Sequence, residues 1–214
     1  MKYLNKIKDF LLKHKRLIIV AVSIILLLAI IEDILDDDII TFDEKWYSFV
    51  EQHLIKNWVT YIAKFITQFG GPILLIIIAV LISSILRNKI GICILVNLFL
   101  ATITNFTLKN ILQRPRPIEH RIIDESGYSF PSGHSMVSMA FYGFLIYLIF
   151  QNVKNKYLKW SLIIILALLI VSIGISRIYL GVHYTSDVIA GFLVALAYLS
   201  IYTKAIKEIV FNEE

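Results

Sequence analysis

Residues 90–108 read Ile-Gly-Ile-Cys-Ile-Leu-Val-Asn-Leu-Phe-Leu-Ala-Thr-Ile-Thr-Asn-Phe-Thr-Leu, without a single charge. As a helix rising ~1.5 Å per residue, this stretch reaches about 28 Å, close to the thickness of a bilayer's hydrocarbon core. Further apolar runs cover 17–31, 72–86, 135–150, 160–176 and 188–202. The shorter runs can borrow flanking residues to cross. Composition agrees: of 214 residues, 58% are hydrophobic and only 17% charged, against about a quarter charged in an ordinary globular domain. The sequence therefore predicts an all-α, six-transmembrane-helix bundle forming a single integral membrane domain over 1–214.

The segments between the runs refine this layout. Residues 1–16 carry Lys2, Lys6, Lys8, Lys13, Lys15 and Arg16 beside an apolar face of Leu4, Ile7, Phe10 and Leu11, the pattern of a short surface helix. The run at 17–31 is followed by acids rather than a small-residue cleavage site, so it reads as a first span and not a leader. Within 32–57, Phe42, Trp46, Phe49, Val50 and Leu54 recur at helical spacing, predicting an interfacial amphipathic helix. That helix either walls a lipid entry or packs on the bundle. Residues 59–69 continue as helix until Gly70-Gly71-Pro72 breaks it. Cys93, the single cysteine, allows no intramolecular disulfide and reads as a core or lipid-facing residue. His14 and His53 read as interfacial, whereas His120 and Arg121, in the 109–133 loop, either reach substrate or serve as solvent or headgroup contacts, and the isolated signal favours the latter.

Charge sets the expected orientation. Six spans place both termini on one side, together with the turn at 87–89 and the loop at 152–159. That side holds 13 of the 21 Lys and Arg, whereas the other holds 12 of the 16 acids. The basic side is then cytoplasmic. The net charge of +5 follows from these flanking residues and gives no reason to expect a nucleic-acid partner.

Three polar clusters on the opposite side break the charge rule. The first is Lys109-Asn-Ile-Leu-Gln-Arg-Pro-Arg116-Pro117, where prolines fix the direction of a guanidinium suited to phosphate oxygens. The second is Pro131-Ser132-Gly133-His134, a helix start whose Ser132 can cap and whose free N–H groups favour an anion. The third is Ser176-Arg177, then His183 and Asp187, four apart and able to hydrogen-bond. An aspartate on one ring nitrogen fixes the tautomer and prepares the other nitrogen as nucleophile or base. Such a pair also occurs at metals, but Lys109, Arg116 and Arg177 would repel a cation and favour a multiply charged anion such as phosphate.

The three clusters resemble the type-2 phosphatidic acid phosphatase family, which shares its site with vanadium haloperoxidases. The family pattern is Lys-x6-Arg-Pro, then Pro-Ser-Gly-His, then Ser-Arg-x5-His-x3-Asp, and each defining position has its match here. The resemblance implies a lipid phosphatase/haloperoxidase-like core over about 90–203, with no metal or cofactor. It implies that His183 attacks phosphorus to form a phosphohistidine, Asp187 orients it, and His134 protonates the leaving oxygen and then activates water. Lys109, Arg116, Ser132, Gly133 and Arg177 would hold the phosphoryl oxygens. The short chain looks like the bacterial members acting on undecaprenyl pyrophosphate, phosphatidylglycerol phosphate or phosphatidic acid. The expected partners are a lipid phosphate and the bilayer, with the site at the extracytoplasmic face of the cell membrane. Alternatives are phosphotransfer between lipids through the same site, or an inactive lipid transporter or scaffold.

Overall fold

In a computed structural model, residues 2–36, 39–118 and 121–210 are described, and all their regular structure is helical. The helices are α1 (Lys2–Leu35), α2 (Ile39–Leu54), α3 (Asn57–Gln68), α4 (Pro72–Leu86), α5 (Lys89–Leu112), α6 (Gly133–Asn152), α7 (Lys156–Tyr179) and α8 (Thr185–Val210). Local chemistry sets several of their ends. Asn88 and Asn155 cap α5 and α7 by accepting from Gly91 N (3.2 Å) and Leu158 N (3.0 Å). Pro72, with no N–H to lose, opens α4 directly after Gly71. Gln113 turns left-handed at the end of α5 (φ 46°), ahead of Pro115.

Helix α6 is the central element and packs on α5, α7 and α8. Its fully buried Phe141 and Phe144 meet Ile94 of α5 and Ile173 of α7 in the main core. Tyrosines tie neighbouring helices through backbone carbonyls: Tyr202 donates to Cys93 O (2.6 Å), Tyr198 to Asn97 O (3.1 Å) and Tyr142 to Phe69 O (2.8 Å). Such bonds satisfy polar groups where no water competes. Cys93 is buried in this core, as expected.

Five helices are long and apolar enough to cross a membrane, and α3 with α4 forms a sixth candidate bent by 48°. The chain is a multi-pass membrane protein, with the six expected crossings if the bent pair counts as one. Two elements differ from expectation. The charged residues at the start do not form a separate surface helix but continue unbroken into the first span as α1. Charge stops an apolar run without stopping backbone hydrogen bonding. The amphipathic stretch is shorter than the 32–57 window and packs on α1, α7 and α8. Phe42, Trp46 and Phe49 of α2 stay exposed, whereas Asp43 and Val50 are buried.

The antiparallel order of α5 to α8 brings four helix ends together. Lys109 closes α5, Gly133 opens α6, Arg177 lies in the last turn of α7 and Asp187 in the first turn of α8. The tight turns between α4 and α5 and between α6 and α7 lie at the other end.

Candidate active site

The polar cluster begins with Asp187, whose side chain is fully buried. A lone buried carboxylate would be strongly disfavoured, and this one is surrounded by donors. Its Oδ1 accepts from Arg114 Nη1 at 2.7 Å. Its Oδ2 accepts from Tyr184 N at 2.9 Å, from the Ser129 hydroxyl, and from His183 Nδ1 at 3.3 Å. The Asp187 carbonyl also accepts from Ser132 N at 3.0 Å. One residue thus joins the second and third clusters through backbone and side chain alike.

The partners of His183 fix its tautomer. Arg116 Nη1 lies 3.1 Å from His183 Nε2, and a guanidinium can only donate. Nε2 is therefore the acceptor, and Nδ1 carries the proton given to Asp187. Burial pushes the ring down to about 4 from its ordinary 6.5, although Asp187 pulls the other way. The imidazole is neutral near pH 7, with a nucleophilic lone pair on Nε2 that Arg116 covers.

Four cations surround this pair, and their partners differ in kind. Arg114 bonds Asp187, Ser186 Oγ (2.7 Å) and Asp43 Oδ2 (2.9 Å), and stacks on the Tyr184 ring at 4.0 Å. Burial works against its charge, but Asp187 and Asp43 outweigh that and hold the guanidinium above its ordinary value. Arg177, fully buried, meets Thr67 Oγ1 at 2.9 Å and the Glu125 carboxylate. Its Nε has no partner among the described residues. Burial raises the Glu125 carboxyl, but Arg177 and Arg116 prevail and hold it below the usual range.

Arg116 and Lys109 instead have carbonyl partners. Arg116 donates to Gly127 O (2.9 Å), Val182 O (2.9 Å) and Ser126 O (3.0 Å), and burial lowers its proton affinity. Lys109 Nζ reaches Tyr128 O and, at 3.2 Å, Ser129 O. Among the described residues neither forms a salt bridge, so their charge remains available to an incoming anion.

The Pro131–His134 turn supplies backbone donors. The Ser132 hydroxyl accepts from Ser135 N and Oγ, at 3.4 and 2.9 Å, and thereby caps α6. Its N–H is taken by Asp187, so Ser132 can offer an anion only its hydroxyl proton. The Gly133 and His134 N–H groups have no acceptor among the described residues and lie at the positive end of α6. A β-carbon at 133 would stand 3.0 Å from Asn105 Oδ1, which explains the glycine. Asn105 also holds Pro131 O at 3.3 Å. His134 rests against the break between α3 and α4: a β-carbon at Gly70 would lie 3.2 Å from its Cδ2.

All the expected site residues thus lie at one end of the bundle. Lys109, Arg116, Asp187 and His183 are linked through Ser129, Val182 and direct bonds; Ser132 joins through Asp187, and Arg177 through Glu125 in the same loop. The sequence reading missed Asp43, Ser129, Glu125 and Thr67 altogether. Arg114 lies in the Arg-Pro-Arg-Pro run, and the structure adds that it is the partner of Asp187. Its double proline context was the one available signal. Arg121 folds back on Pro117 O in the exposed loop, and His53 on Phe49 O at 3.0 Å. His120 lies outside the described residues. Also among the described residues, no group of three His, Cys, Asp or Glu is placed to hold a metal ion.

Comparison with known proteins extends over the same region. Residues 90–210 match the PAP2 superfamily. The chain is 31% identical to phosphatidylglycerophosphatase B of Bacillus subtilis (strain 168), over 66% of this chain and 72% of the relative. It is 30% identical to an undecaprenyl-diphosphatase of Sulfolobus acidocaldarius, over 64% of this chain and 66% of the relative. The crystal structure of a transmembrane PAP2-type phosphatidylglycerolphosphate phosphatase from Bacillus subtilis superposes with a TM-score of 0.83 at 26% identity. That superposition covers 89% of this chain and 96% of the other.

The geometry predicts that His183 remains neutral and Nδ1-protonated between about pH 5 and 8. Nitrogen-15 NMR of ring-labelled protein in micelles reads both tautomer and titration. The expected midpoint is near 4; a midpoint at the ordinary 6.5, or an Nε2-protonated ring, would contradict the assignment.

Proposed function

The chain belongs to the PAP2 superfamily and is a membrane phosphatase; from that premise we propose that it removes the terminal phosphate of a lipid phosphomonoester or pyrophosphate through a phosphohistidine at His183. The observation that carries this reading is the pair of cations, Arg116 and Lys109, that form no salt bridge among the described residues, beside a neutral histidine whose Nε2 lone pair faces Arg116. A phosphate drawing Arg116 onto its own oxygens frees that lone pair. Lys109, Arg177, the Ser132 hydroxyl and the Gly133 N–H complete the cradle that balances charge on the equatorial oxygens.

The steps balance with the chain's own groups. His183 Nε2 forms a bond to phosphorus as the bond to the lipid oxygen breaks, and Asp187 stabilises the positive ring. His134 gives its proton to the leaving oxygen, the protonated form being favoured once the substrate's negative charge is in place. Neutral His134 then takes a proton from water, which attacks phosphorus and releases inorganic phosphate and His183. The cations would repel a divalent metal, so the reaction proceeds without one.

The names of the relatives point to phosphatidylglycerol phosphate and undecaprenyl pyrophosphate, which share a terminal phosphate on a lipid. A panel of these two with phosphatidic acid, assayed in mixed micelles, tests the reading. We expect release of phosphate from at least one, little effect of EDTA, and loss of at least about 10³-fold in His183→Ala. Undiminished turnover in that variant would sink the proposal.

The site faces the extracytoplasmic side and both termini are cytoplasmic. This orientation is supported by the basic turns at the far end of the bundle, including Arg87, Lys89, Lys154 and Lys156. A reporter fused after Lys207 is expected to behave as cytoplasmic, and one inserted near residue 122 as external. The opposite pattern would place the site in the cytoplasm.

A further inference from the structure

Asp43 belongs to none of the three motifs and lies outside the matched region 90–210, yet its side chain is fully buried against the site. It sits on α2, whose other face exposes Phe42, Trp46 and Phe49. Its carboxylate makes three polar contacts, each to a residue bordering Asp187 or bonded to it. Oδ1 accepts from Ser186 N at 2.9 Å. Oδ2 accepts from Ser186 Oγ at 2.6 Å and from Arg114 Nη2 at 2.9 Å. Arg114 Nη1 in turn holds both Ser186 Oγ and Asp187 Oδ1, each at 2.7 Å. One guanidinium therefore bridges two buried carboxylates, with a serine hydroxyl closing the ring.

We propose that Asp43 is a positioning residue for the His183–Asp187 pair, acting through Arg114 and Ser186. Without Asp43, Arg114 keeps only one carboxylate, and its fork is free to rotate and take Asp187 with it. Asp187 sets the direction of His183 Nδ1–H, so its displacement misaims Nε2. A nucleophile displaced by a fraction of an ångström loses rate rather than binding. The contacts of Lys109, Arg116 and Arg177 do not pass through Asp43, so affinity for the phosphate group is expected to stay. A role confined to stability would instead leave turnover per folded molecule unchanged.

This inference rests on the phosphatase reading above, and the experiment separates the two. Full-length Asp43→Asn, Ser186→Ala, their double variant and His183→Ala are purified in detergent, checked for monodispersity and assayed on the active lipid phosphate. For Asp43→Asn we expect kcat to fall about 10–100-fold, the range for partners that orient a functional ligand. KM and the inhibition constant of vanadate, used as a phosphate analogue, should stay within about threefold. Ser186→Ala removes one hydroxyl from the ring without altering charge and should lower kcat about threefold to tenfold. The double variant should be no worse than Asp43→Asn, since both break one linkage. Unchanged kcat in folded Asp43→Asn overturns the proposal, as does an equal loss in kcat and vanadate affinity. If Asp43→Asn fails to fold, unchanged kcat in Ser186→Ala overturns it. An active His183→Ala would overturn the phosphatase reading itself.

Discussion

A buried carboxylate, Asp187, holds the active end of this protein together. It accepts from Arg114, Ser129, Tyr184 and His183 through its side chain, and from Ser132 through its carbonyl. Those five donors come from the loop after α5, the turn before α6 and the segment before α8. Removing one partner of a buried charge typically costs about 3–5 kcal/mol, so these segments are bound to a common arrangement. The helices beneath supply a rigid frame; Asp187 sets how their ends meet.

Around that anion the cations fall into two classes. Arg114 and Arg177 are balanced by carboxylates, whereas Lys109 and Arg116 rest on backbone carbonyls. Carbonyls orient a cation without cancelling its charge. Two cations with carbonyl partners at one end of the bundle favour a multiply charged anion there. Arg116 adds a second property, because it covers the Nε2 lone pair of His183, the nucleophile of the proposed reaction. Glu125 in turn occupies Nη2 of Arg177 with a carboxylate.

Much of this was legible in the sequence. Apolar runs gave the crossings because a bilayer demands continuous stretches. The spacing of His183 and Asp187 marked them as partners, although His183 precedes α8 and meets Asp187 from the segment that leads into that helix. The cations of the three clusters stood out because they violate the charge bias of the loops. What escaped has no local signature. Asp43 and Arg114 are 71 residues apart, and nothing near Asp43 distinguishes it from the other acids of its helix. The break Gly70-Gly71-Pro72 was readable as a break, but the close fit of His134 against it depends on packing. A helix start offers free N–H groups in general, and only the fold shows that Asp187 O occupies the one on Ser132. The charged start of α1 and the apolar span after it differ in composition, yet one unbroken helix holds both.

The central claim is that Nε2 of His183 carries the phosphoryl group during turnover. Acid-sensitive, alkali-stable label trapped from a phosphorus-32 lipid phosphate by rapid denaturation, followed by mapping of the labelled peptide, addresses it directly. The account predicts label on His183 alone, absent from His183→Ala and accumulating in His134→Ala, where water activation is slowed. Turnover with no trapped label in either wild type or His134→Ala, or label on another residue, would contradict it.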